Sequence, residues 1–92
     1  MYKEVLSAFL LDGVDRIKDI KTCLETGNIP LYTIHVHGLK GASAIIGADE
    51  LSQTALTLEA AGNKNDLQFI ETHTPDFIGK LETLLTNIKI VV

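Results

Sequence analysis

The chain has 92 residues, 46% of them apolar and only 5% aromatic, with a formal net charge of −4. A chain of this size supports one core and buries roughly 60–65% of its unfolded surface, so residues 1–92 read as a single domain, with no room for a second. The acidic balance and the lack of any Lys/Arg block exclude the electrostatic footprint of a nucleic-acid binder.

From Tyr2 to Thr26 the residues Val5, Leu6, Phe9, Leu10, Val14, Ile17, Ile20, Cys23 and Leu24 recur at spacings of three and four, the period of one helical face. This predicts one long helix, or two joined near Asp12–Gly13. Thr26-Gly27-Asn28 stops it, and Pro30, whose missing N–H would be unpaired in a first turn anyway, starts a second helix running to about Ile46. Gly47 ends that helix. Asp49 then stands where a capping or first-turn carboxylate meets the partial positive charge of a third helix, with Leu51, Ala55, Leu58 and Gly62 along one face. Gly62-Asn63-Lys64-Asn65 reads as a turn and Asn65 or Asp66 as the cap of a last helix reaching toward Ile90, which Pro75 is expected to kink or interrupt near Thr74. Connections this short favour antiparallel neighbours. The expected fold is all-α, an up-and-down antiparallel four-helix bundle with an additional short or continuous N-terminal helix.

Cys23 is the only cysteine, so no intrachain disulfide can form, and beside Ile20 and Leu24 it reads as a buried thiol. Met1–Leu11 lacks the charged start, apolar run and cleavage site of a signal peptide. The longest nearly apolar stretches, Val5–Leu11 and Ile88–Val92, fall short of the ~20 residues a membrane span needs. A monomer in a reducing cytoplasm, away from membranes, is the expectation.

The residues richest in chemistry are His35-Val36-His37-Gly38-Leu39-Lys40-Gly41-Ala42-Ser43. On a helix each residue turns about 100°. With Tyr32, Val36, Leu39, Ser43 and Ile46 as the buried stripe, His37 lies at the margin of the core and faces out. His35 falls about 200° from His37, so the two rings cannot share a metal ion. Lys40 and Gly41 sit on the next turn beside the imidazole. A lysine there can offset negative charge on a group that the ring carries, while Gly41 and Ala44 leave the ring uncrowded. Gly38 adds a second mid-helix glycine, each costing about 1 kcal/mol relative to alanine, and glycines on both sides of the histidine suggest close approach.

The run His37-Gly38-Leu39-Lys40-Gly41-Ala42-Ser43, continued by Ile46-Gly47-Ala48, Leu51, Ala55 and Leu58-Glu59, resembles the signature of the histidine-containing phosphotransfer (HPt) family. The resemblance implies a helical phosphorelay intermediate of two-component signalling, working between a sensor or hybrid histidine kinase and a response-regulator receiver domain. It implies that His37 is phosphorylated, that Lys40 is the neighbouring cation, and that Glu59 accepts a hydrogen bond from His37 Nδ1–H. Helix geometry agrees, because Glu59 lies just outside the buried stripe of its helix as His37 does on its own. A carboxylate on Nδ1–H leaves the lone pair on Nε2, which becomes the nucleophile. Phosphoryl transfer is largely a matter of positioning and charge stabilisation, so any metal is expected to come with the partner, and the chain itself to need no cofactor or metal. It is expected to be a carrier, not an enzyme, with Gly41, Ala44 and Gly38 on its docking face.

Two other readings compete. In one, Leu31–His37 is a strand that puts His35 and His37 on one face as metal ligands, although Gly38 to Ala48 suits helix better and no acidic and histidine cluster follows. In the other, the bundle docks receiver domains without carrying phosphate, and then has no use for His37, Lys40 and Gly41 together. His35 reads as a surface or partly buried side chain, Gln53 as solvated, and His73 as a histidine without a functional role.

Overall fold

The computed structural model describes residues 2–91 and consists of four helices, α1 (Tyr2–Thr26), α2 (Ile29–Ile45), α3 (Asp49–Asn63) and α4 (Leu67–Val91). Two- and three-residue connections reverse the chain each time. Each helix packs against the next and α4 returns to α1, closing an up-and-down ring with extents of 38 × 21 × 18 Å. The long dimension is that of a 25-residue helix, about 37 Å. The N-terminal segment is one continuous helix and is itself a member of the four.

One device ends each of the first three helices. Gly27, Gly47 and Asn65 take left-handed backbone angles (φ 75°, 81° and 56°), and the following N–H closes on a carbonyl five residues back. These bonds run from Asn28 to Cys23, Ala48 to Ser43 and Asp66 to Ala61, at 2.8–2.9 Å. The side chains of Asn28 and Asp66 then cap the next helices by accepting from Leu31 N and Phe69 N. α3 has no side-chain cap, and Asp49 and Glu50 in its first turn complement the helix dipole instead.

The core stripe of α1 is Leu6, Phe9, Gly13, Ile17, Ile20 and Cys23, while Val5 and Val14 are exposed. Gly13 is therefore not a joint between two helices. It lets α4 come close, since a Cβ there would meet Leu85 Cδ2 at 3.0 Å. Pro75 does not interrupt α4 either. It lies on the exposed face, where the carbonyl it leaves unbonded is open to water, while Ile70, Thr74, Phe77, Ile78, Leu81, Leu85 and Ile88 hold the other face in the core. Diagonally across the bundle, the buried Tyr32 hydroxyl pairs with Thr74 Oγ1 at 2.7 Å, and burial pushes the phenol's pKa up. Among the described residues, the hydroxyl of buried Ser43 has no hydrogen-bond partner. No described helix is long and apolar enough to cross a membrane.

Candidate functional site

The outward face of α2 follows from its phase. Ile29, Tyr32, Val36, Leu39 and Ser43 are buried, which turns His37 to solvent with its side chain 63% exposed. Because Leu31–His37 is helical, the strand reading with paired histidine ligands fails. The two rings turn to opposite neighbours. His37 goes to α3, whereas His35 packs toward α1, with Nδ1 3.2 Å from Arg16 and Nε2 3.8 Å from Asp19.

Glu59 on α3 meets His37. Its Oε2 is 2.6 Å from His37 Nδ1 and its Oε1 is 2.7 Å from Lys40 Nζ, so each carboxylate oxygen holds one group. Two contacts between α2 and α3 bracket this position. Ser52 Oγ donates to the Lys40 carbonyl at 3.0 Å. One turn beyond Glu59, Gly62 lies so close to Thr33 that a Cβ would collide with its hydroxyl. Glycine there allows the helices to close, and the closure brings the carboxylate under the ring. The Lys40 ammonium, and after it His37, hold the Glu59 carboxyl below the ordinary carboxylate range despite burial, which acts in the opposite direction. An ionised carboxylate only accepts, so the Nδ1 facing it carries a proton, and in the neutral ring Nε2 keeps its lone pair toward solvent.

The surface around the ring is small and apolar. A Cβ on Gly41 would find nothing within 4 Å, and Ala44 is exposed. Ile34 and Ile45 on α2, and Leu56 one turn before Glu59, are exposed as well. Gly38 departs from the expectation. It is only partly exposed, and the Arg16 guanidinium from α1 occupies the space its side chain would take. Sequence reasoning missed Arg16. Its only local signal is Asp12 four residues earlier, which reads as an ordinary surface ion pair.

Fold and site together define a four-helix bundle that presents an oriented imidazole on the open face of its second helix. A sequence model of the Hpt domain family matches residues 4–89, and the chain belongs to that family. Hpt domains are phosphotransfer carriers of two-component phosphorelays, without kinase activity of their own, and interact with kinases and response regulators. Searches of curated proteins and of solved structures return no match.

Proposed function

We propose that His37 carries the phosphoryl group on Nε2, taking it from or giving it to an aspartate of a response-regulator receiver domain in the cytoplasm. The observation that supports this most directly is the 2.6 Å bond from His37 Nδ1 to Glu59 on a ring that is otherwise open to solvent. As Nε2 attacks phosphorus, a N–P bond forms and the acyl P–O bond breaks, releasing the partner's carboxylate. The ring keeps its Nδ1 proton and gains positive charge, which Glu59 offsets. Lys40 stands one turn along and is the cation available to the phosphoryl oxygens. Gly41 and Ala44, with Ile34, Ile45 and Leu56, supply a docking face suited to a transient signalling contact of at most roughly 1,200 Å².

The test uses receiver domains of the response regulators encoded in the same genome, phosphorylated with acetyl phosphate. Wild type is expected to acquire an acid-labile, base-stable label, and His37→Gln to acquire none. Label undiminished in His37→Gln, or absent from wild type with every donor, refutes the reading.

A further inference from the structure

Gly38 follows His37 directly, and its missing side chain is replaced by Arg16. A Cβ on Gly38 would lie 2.5 Å from the guanidinium carbon and 2.7 Å from each terminal nitrogen. The guanidinium is held from two sides. Its Nε donates to Asp12 Oδ2 at 2.9 Å on its own helix, and its Nη1 donates to His35 Nδ1 at 3.2 Å on α2. Because arginine only donates, His35 Nδ1 is the acceptor and the ring proton sits on Nε2, on the side of Asp19. Nη2 makes no hydrogen bond among the described residues, and the side chain is 27% exposed. A pre-ordered cation with spare donors therefore stands one residue along from His37, about 100° round the helix toward α1.

Its situation differs from that of Lys40. The Lys40 ammonium is bound to Glu59, whose other oxygen holds His37, so that cation belongs to the ring's own site. The same carboxylate draws the ring toward α3, the side of α2 opposite Arg16. Arg16 thus faces whatever approaches the ring rather than the ring itself.

We infer that Arg16 is a recognition residue for the docking partner, taking an acidic side chain at the rim of the partner's phosphoryl-bearing site. The inference rests on the phosphotransfer reading of His37. A partner that carries phosphate on an aspartate brings negative charge to the contact, and this chain, at −4, repels such charge overall. A fixed guanidinium beside the acceptor ring supplies local attraction. Its planar fork gives a carboxylate directional bonds, and its ordering by Asp12 and His35 lowers the entropy lost on docking.

Rim charges act on encounter and on salt dependence more than on the chemical step. Transfer from a phosphorylated receiver domain is therefore measured as KM and kcat at ~50 mM and ~500 mM salt, which differ several-fold in screening length. Arg16→Gln is expected to raise KM about fivefold at the lower salt and less than about twofold at the higher, with kcat unchanged. Arg16→Lys is expected to recover part of the loss, and circular dichroism to show the same helicity in all three proteins. The lifetime of phosphohistidine without partner is expected to be unaltered. Wild-type KM in Arg16→Gln at low salt overturns the inference, as does a changed lifetime with unchanged KM, which assigns Arg16 to the phosphoryl group instead. Affinity for the unphosphorylated receiver domain, measured by calorimetry, is expected to fall in Arg16→Gln in parallel with the rise in KM. That measurement tests Arg16 even if no label is transferred, so failure of the inference is distinguishable from failure of the His37 reading.

Discussion

Glu59 binds two partners, one with each oxygen, and this shared use ties the ring's tautomer to the position of its neighbouring cation. The His37–Glu59 and Lys40–Glu59 contacts join residues of α2 to one of α3, so either is lost if the helices separate. The folded carboxyl titrates below its ordinary value of 4.5, with Lys40 as the main cause. For a group whose pKa is lowered by folding, the stabilisation is complete above the unfolded value and disappears as pH falls through the folded one. Glu59→Gln is expected to cost about 0.5–1 kcal/mol at neutral pH, the scale of a well-placed and partly exposed ion pair. Urea unfolding of both proteins across a pH series is expected to show this gap narrowing only below 4.5. A gap that widens on acidification contradicts the assignment. At this scale the shared helix edge of His37 and Lys40 was legible from spacing, since residues three apart are neighbours, while the roles expected of them came from family resemblance. Glu59 was legible through family resemblance. Arg16 was not, because its contact with Gly38 depends on the relative placement of two helices, which no local pattern encodes.

Among the elements, α2 and α3 come close together at Gly62. A side chain there would press on Thr33 Oγ1, which is pinned by its own bond to the Ile29 carbonyl at 2.8 Å. Helix propensity alone predicts that Gly62→Ala stabilises by about 1 kcal/mol. Overpacking typically costs about 1–3 kcal/mol, and here the obstacle includes the Thr33 Cβ and Cγ2 at 3.1 and 3.2 Å. Net destabilisation of about 1 kcal/mol is therefore expected, with slower phosphotransfer as Glu59 is pushed from the ring. Adding Thr33→Ala is expected to restore most of both. Thermal unfolding and transfer assays check the pair, and a Gly62→Ala protein more stable than wild type refutes the close-approach argument. The helices themselves were readable from apolar spacing, and their boundaries from Gly27, Gly47 and Asp66. Glycine and proline were the ambiguous signals when read by local rules alone. Gly13 left open a joint between two helices, and the single helix is the one observed, with Gly13 making room for Leu85; Pro75 was expected to kink or interrupt α4, and the helix runs through it where solvent can serve the freed carbonyl.

For the whole molecule, the ring of helices leaves the interior closed and puts function on one outer face. The Tyr32–Thr74 bond spans the diagonal between α2 and α4, more than one turn before His37 along α2. α2 is thereby anchored on its inner side while its outer side stays open at Gly41 and Ala44. Net acidity, apolar stripes and short turns made this architecture legible, and the composition already pointed away from nucleic acid. Which side chains cover the open face was not legible, because coverage depends on how the neighbouring helices meet α2. The central claim is that the bundle holds one imidazole with its proton on Nδ1 and its nucleophilic nitrogen, Nε2, outward. Magnetic resonance of the protein with isotope-labelled histidine, before and after phosphorylation, tests this directly. The account predicts a His37 proton on Nδ1 in the free protein and nitrogen–phosphorus coupling at His37 Nε2 after transfer. Coupling at Nδ1, or phosphate on His35 or His73 instead, would contradict it.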